Sequence, residues 1–234
     1  MVFIGATPEQ LELFGDKARA RALALQCSVP VLAGSDGTLT LEQAEAFFAA
    51  QGGDGVMLKA IAGGGGRGMR AVLRVEDLPT AYERCRSEAR SAFGIDAVYA
   101  ERLMSGARHV EIQVVGDGRE VLALGERDCT LQRRFQKLVE MAPSPTLDEA
   151  MRERLTDAAL RMARAVGYRG LGTFEFLVAR DEFAFIETNP RLQVEHTVTE
   201  EVTGLDLVQL QIQLAADRSL AELGLSTAPR PQGF

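Results

Sequence analysis

Glu187-Thr188-Asn189-Pro190-Arg191-Leu192-Gln193-Val194-Glu195-His196 packs two carboxylates, an amide, a guanidinium and an imidazole into one short stretch. Asn189 can add an oxygen ligand to a metal ion. Arg191 can clamp a small planar anion through two parallel hydrogen bonds. Glu195 can serve as a general base once it lies within hydrogen-bond reach of that anion. Upstream, Glu175 sits in Gly172-Thr173-Phe174-Glu175-Phe176, and Glu187 follows Phe183-Ala184-Phe185-Ile186. Two strands joined by a tight charged turn would bring both glutamates to one cleft. Carboxylates so placed need a cation between them or a proton on one, and Mg²⁺ uses one or two carboxylates together with substrate phosphates. The alternative is a pair of solvent-facing glutamates. The aromatic flanks, which mark a largely buried hairpin, weigh against it.

The glycine run Gly63-Gly64-Gly65-Gly66 leads through Arg67 to Gly68, and Lys59 stands just before it. Gly63, Gly65 and Gly68 satisfy G-x-G-x-x-G by letter. The dinucleotide fingerprint, however, needs a helix after its loop, and Met69-Arg70-Ala71-Val72-Leu73 reads as a strand. Met69 also stands where a P-loop needs lysine. What remains is a strand, glycine loop and strand. Its backbone N–H groups either fold over a phosphate chain or belong to a flexible surface hairpin.

The elements that must carry these groups follow from patterning. Thr7-Pro8-Glu9-Gln10 and Thr40-Leu41-Glu42-Gln43 are capping boxes. A helix is expected over 16–26, and Gly52-Gly53 stops the helix that begins at Thr40. Strands are expected over 55–60, 69–75 and 97–102, with a helix over 78–93. Residues 108–115 alternate, with His109, Glu111 and Gln113 on one face and Val110, Ile112 and Val114 on the other. Asp117-Gly118 turns the chain into a strand over 121–124. Thr146-x-x-Glu149 is read as the cap of a long helix ending at Gly167, and the two glutamate strands cover 172–178 and 182–187. An amphipathic helix over 205–216 precedes a loose Pro-rich tail. This mixture is α+β with mostly antiparallel strands.

Composition narrows the class. The chain has 234 residues with 46% hydrophobic and 25% charged, which excludes a disordered chain. No apolar run reaches membrane-spanning length, and residues 1–15 lack the pattern of a secretory signal. A net charge of −7 argues against nonspecific nucleic-acid binding. Cys27, Cys85 and Cys129 are too few and too scattered for a disulfide framework or a zinc site, so reduced thiols in the cytoplasm are expected.

Taken with Gly15-Asp16-Lys17, Arg108-His109-Val110-Glu111-Ile112-Gln113, Glu126-Arg127-Asp128-Cys129, Gln132-Arg133-Arg134 and Lys137, these motifs resemble, in order and over nearly the whole chain, the ATP-grasp region of biotin carboxylase. That component occurs in acetyl-CoA, propionyl-CoA and pyruvate carboxylases. The resemblance implies an α+β ATP-grasp fold: connecting elements over 1–30, a small lid over 31–103 and a larger, mostly antiparallel sheet core over 104–234. It implies that Lys17, Lys59 and His109 bind ATP, that Gly64, Gly65, Gly66 and Met69 form the lid over it, and that Glu101 and Leu103 lie at the adenine, with Gln132 also on the nucleotide side. Glu175, Glu187 and Asn189 would hold Mg²⁺ or Mn²⁺. Lys137, Arg191, Gln193 and Val194 would position bicarbonate for deprotonation by Glu195. Carboxyphosphate would then supply CO₂ to biotin on a carboxyl carrier protein or domain, with a carboxyltransferase as the further partner. A homodimer is compatible with this.

Two departures stand out. Phe135 occupies a position where many relatives carry His or Asn, and Arg102 one that is often Lys. Family members also have a complete α/β domain before Phe3-Ile4-Gly5 and continue beyond position 234. The chain is therefore expected to be a piece that starts inside a strand, with exposed edges and a tendency to associate. Two other readings remain: an enzyme making carboxyphosphate for carbamoyl phosphate, and a non-catalytic ATP-binding remnant.

Overall fold

The computed structural model describes residues 2–35, 37–61, 68–229 and 231–232. The chain divides into two compact units, one formed by Met1–Val31, Ala107–Leu131 and Lys137–Phe234, the other by Leu32–Gly106 and Gln132–Gln136.

In the larger unit, α1 (Pro8–Gly15) and α2 (Lys17–Gln26) start at Thr7 and Asp16. The Thr7 capping box is closed in both directions, and the Asp16 carboxylate caps Ala18 and Arg19. Five antiparallel strands follow in the order β6-β5-β4-β7-β8. They are β4 (Arg108–Asp117), β5 (Val121–Arg133), β6 (Gln136–Met141), β7 (Arg169–Ala179) and β8 (Glu182–Asn189). The helix α5 (Glu149–Ala165) lies between β6 and β7 in sequence, and α6 (His196–Thr203) and α7 (Leu207–Ala215) come last.

Period-two alternation splits this sheet into two faces. Val110, Ile112, Val114, Phe174, Phe176 and Phe185 enter one apolar core with Phe14 of α1, Leu23 of α2 and Leu155 and Met162 of α5. The opposite face is divided along its length. At one end Val115, Leu124 and Leu171 pack with Leu207, Leu210 and Leu214 of α7. At the other end the same strands present His109, Glu111, Gln113, Thr173 and Glu175. Close approach demands a glycine at Gly172, where a Cβ would lie 2.2 Å from the Tyr168 hydroxyl oxygen.

The smaller unit is a three-stranded antiparallel sheet in the order β2-β1-β3, built from β1 (Val56–Ala60), β2 (Met69–Val72) and β3 (Val98–Arg102). Phe48 of α3 (Leu41–Ala50) and Leu78 and Tyr82 of α4 (Leu78–Phe93) close its core on Val56, Leu58, Val72 and Ala100.

Several expectations need correction. The strand after Asp117-Gly118 continues to Arg133 rather than ending near 124, and β6 and α6 were not anticipated. The strand expected over 69–75 ends at Val72, and Val75–Asp77 is a 3-10 turn. Asp148, not Thr146, caps α5 through Met151 N–H; Thr146 instead donates to Asp128. Val2, Phe3 and Ile4 are not in a strand, and all three are exposed.

Candidate active site

The polar end of the divided face converges on one ammonium group. Lys137, the second residue of β6, points its Nζ at three carboxylates: Glu111 of β4, Glu175 of β7 at 3.0 Å, and Glu195, at the start of α6, at 2.6 Å. All three ammonium protons are thereby committed. Behind this group lies Arg127 of β5, fully buried. Its Nε donates to Glu111 Oε1 at 2.5 Å, Nη1 to Gln113 Oε1 and Thr199 Oγ1 at 2.8 Å each, and Nη2 to Thr173 Oγ1 at 3.3 Å.

Glu175 is the most densely contacted acceptor. Its Oε2 meets His109 Nε2 at 2.7 Å, and its Oε1 also accepts from Asn189 Nδ2 at 2.8 Å and Gln193 Nε2 at 3.3 Å. Burial pushes the Glu175 carboxyl up, but the hydrogen bonds and charges of His109 and Lys137 outweigh it and hold the group at about 2. Burial likewise opposes ionisation of Glu195, and the bond from Lys137 overcomes it, so Glu195 is held below the usual carboxylate range. Burial pulls Lys137 down, yet Glu175 and Glu111 raise it well above an ordinary lysine. Glu175 and Glu195 are therefore carboxylates, and Lys137 an ammonium, at neutral pH. Burial, then Glu111, pushes the nearby Cys129 thiol far up, which keeps it from acting as a nucleophile.

Glu111, Glu175 and Glu195 face Lys137, Arg127 and His109, and Glu187 brings a fourth carboxylate beside them. Glu187 pairs directly with Glu175 across the β7–β8 hairpin and is half-buried. Its carboxylate makes no side-chain hydrogen bond or ion pair among the described residues. Two hard oxygen donors, one of them unengaged, suit a divalent cation such as Mg²⁺. Among the described residues, the ligand-type atoms lying within 4.8 Å of one another are those of His109, Glu111 and Glu175, and of Glu111, Cys129 and Glu195; Glu187 is in neither set.

The remaining candidates are distributed as follows. Arg191 is exposed, and its Nη2 reaches Asn189 Oδ1 at 3.4 Å. Gln193 is buried, and its Oε1 has no hydrogen-bond partner among the described residues. The Val194 side chain is 91% exposed, so any contact from it to a buried ligand would come from its backbone. Lys17 opens α2, half-buried. In the smaller unit, Lys59 of β1 donates to Glu101 of β3 at 2.5 Å, while Met69 and Leu103 are half-buried. Gln132 is half-buried on the β5–β6 hairpin. Gly64, Gly65 and Gly66 lie outside the described residues. Sequence reasoning passed over Glu111, Arg127 and Thr199 as site residues. The signal for Glu111 was its place on the His109 and Gln113 face of an alternating strand.

A family model described as carbamoyl-phosphate synthase L chain, ATP binding domain, matches residues 16–223. The chain belongs to this family. Within it, the likeness is to biotin carboxylases, as the sequence motifs implied. A pyruvate carboxylase of Bacillus subtilis is 50% identical over 222 residues, covering 94% of this chain and 19% of that protein. The crystal structure of a biotin carboxylase complex with a β,γ-ATP compound from Campylobacter jejuni superposes with a TM-score of 0.90 at 45% identity, covering 100% of this chain and 52% of that one. The biotin carboxylase domain of the Hydrogenobacter thermophilus 2-oxoglutarate carboxylase, in complex with MgADP, ADP and bicarbonate, gives 0.90 at 41% identity, covering 100% and 51%. The ATP-grasp fold expected from the motifs is therefore the fold of this chain, which spans about a fifth of the length of the curated relatives it matches. No helix among the described residues is long and apolar enough to cross a membrane.

Proposed function

We propose that the chain carries the ATP-dependent carboxylation of biotin by bicarbonate, as the ATP-grasp part of a larger carboxylase. The observation that carries this reading is the Lys137 ammonium held among Glu111, Glu175 and Glu195 beside an unengaged Glu187. A largely buried site that gathers carboxylates around one ammonium, with Glu195 as its base-type member, suits the joining of a phosphoryl donor to a small anion. Phosphoryl transfer depends on positioning and charge neutralisation. Glu175, Glu187 and Asn189 would hold Mg²⁺ or Mn²⁺, which would neutralise the phosphates of bound ATP.

In this reading Lys17, Lys59 and His109 bind the nucleotide, with Glu101, Leu103, Met69, Gln132 and Gly64 to Gly66 around it. The smaller unit acts as its lid. Arg191, Gln193, the Val194 backbone and Lys137 orient bicarbonate. Arrival of that anion exchanges one carboxylate contact of Lys137 for the substrate and releases Glu195 to take the bicarbonate proton. Attack on the γ-phosphate gives ADP and carboxyphosphate, whose decarboxylation beside biotin delivers CO₂. The partners are a biotin carrier protein or domain and a carboxyltransferase, with a second copy as a possible dimer mate, in the cytoplasm.

The test is ADP release from Mg²⁺-ATP by this chain, with and without bicarbonate and free biotin. The expected result is bicarbonate-dependent release that biotin increases. Release that instead requires ammonia would assign carbamoyl phosphate chemistry. Nucleotide binding without hydrolysis, indifferent to Glu195→Gln, would assign a binding module.

A further inference from the structure

We propose that Arg127 and Glu111 are positioning residues for this site: Arg127, through Glu111, fixes where the Lys137 ammonium stands, and through Thr199 it fixes the helix that carries Glu195. The catalytic part of this proposal rests on the function proposed above.

The geometry is a relay of three side chains, Arg127 to Glu111 to Lys137. Arg127 and Glu111 are both fully buried, so neither touches solvent, and each spends its charge on a neighbour. Glu111 is shared, with one oxygen on Arg127 and the other on Lys137. The other N–H groups of Arg127 reach Gln113 on β4, Thr173 on β7 and Thr199 on α6. One planar guanidinium therefore ties three elements together, and its fixed fork leaves little freedom in their relative placement.

Sharing Glu111 also sets how Lys137 divides itself. A carboxylate already satisfied on one oxygen pulls less on the ammonium, so Lys137 stays in reach of Glu175 and Glu195. Without Arg127, Glu111 would have Lys137 as its chief counter-charge and would draw it towards the buried side. Without the Glu111 charge, Lys137 would lean towards the two carboxylates in front. In both cases the ammonium leaves the position from which it would meet an entering anion. A displacement of about 1 Å at a reacting centre can cost on the order of 100-fold in rate.

The experiment uses the 234-residue chain and the variants Glu111→Gln, Arg127→Met and the double variant, because Arg127→Met alone strands a buried carboxylate that the double variant removes. The first readout is independent of turnover: the slowly exchanging lysine ammonium signal in ¹⁵N NMR, assigned by its loss in Lys137→Arg. The proposal expects that signal in the wild-type chain. It expects the signal to shift or to lose protection in Glu111→Gln, with the thermal transition retained. The second readout is kinetic. Glu111→Gln should raise the KM for bicarbonate and lower kcat by about tenfold or more, with the KM for ATP unchanged, and the double variant should be less impaired than Arg127→Met. An unchanged Lys137 signal in folded Glu111→Gln overturns the proposal. So does an equal loss in ATP and bicarbonate parameters, which marks general loss of structure. If the wild-type chain shows no bicarbonate-dependent turnover, the function proposed above fails, while the NMR comparison still decides the placement of Lys137.

Discussion

Replacing Lys137 by methionine removes one positive charge from among three buried carboxylates and keeps the side-chain volume nearly constant. Glu111 retains Arg127, and Glu175 retains His109, Asn189 and Gln193. Glu195 fares worst, because Lys137 supplies its side-chain bond from a cation. Breaking a buried ion pair by removing one partner costs about 3–5 kcal/mol. The Lys137 side chain is 17% exposed, which places this case at the lower end, about 3 kcal/mol. For a chain of this size that lowers Tm by roughly 6–12 °C. The loss should depend on pH. In the wild-type chain the raised pKa of Lys137 leaves its stabilisation fully present throughout the neutral range. In the variant, uncompensated burial raises the folded-state pKa of Glu195 above its unfolded value of about 4.3. The folded variant then binds a proton more readily than the unfolded chain, so its deficit shrinks as pH falls. Urea denaturation of both proteins at pH 8 and at pH 5.5 measures this. A deficit below about 1 kcal/mol, or one equal at the two pH values, would refute the claim that Lys137 neutralises a buried carboxylate cluster.

Glu187→Gln should abolish the Mg²⁺ dependence of ATP binding, because it removes the one carboxylate of the pair that has no side-chain partner among the described residues; calorimetric titration showing Mg²⁺-dependent affinity as in wild type would take Glu187 out of the metal site. The chain should lose stability as pH falls below the carboxylate range. Burial opposes ionisation of Asp128, but its bonds with Thr130 and Arg108 hold its pKa below the unfolded value, so its contribution is present above that value and lost beneath it. The acid slope of the urea midpoint should therefore be shallower in Asp128→Asn. Phe135 lies at φ 63° and is half exposed, beside Arg134 at φ 53°. Asn tolerates this left-handed backbone better, so Phe135→Asn should raise stability by about 0.5–1 kcal/mol, and an unchanged or lowered Tm would contradict a strained turn.

Local signals carried much of the fold into the sequence. The Thr7 and Thr40 boxes, the 78–93 helix and the alternation from Arg108 onward each depend on contacts a few residues apart, and each stands in the structure nearly where patterning put it. The continuation of β5 is a stretch whose pattern is broken by burying charge. Beyond residue 124, β5 reads Gly125-Glu126-Arg127-Asp128, which resembles a solvated turn. It continues as a strand because Glu126 meets Arg152, Arg127 meets Glu111, and Asp128 meets Arg108. Every one of those partners is more than ten residues away, so no window of local sequence contains them. Thr146 failed as a cap for the same reason, since its hydroxyl serves Asp128 while Asp148 takes the helix.

The same logic connects fold and site. An antiparallel sheet with one wholly apolar face could have buried its other face under α7 along its full length. Here α7 covers the end with Val115, Leu124 and Leu171, and the strands change character partway, at Gln113 and Thr173. Beyond that point the backbone register that sets the leucine contacts also sets the carboxylates. Glu175 lies two residues past Thr173, opposite Glu187 and Glu111 on its two neighbours. A one-residue shift of β4 or β7 would send Glu111 or Glu175 into the aromatic core. The aromatic packing of Phe174 and Phe176 is therefore what holds Glu175 in place: their rings lie in the core on the far side, and the energy gained by burying them is lost if the strand slips.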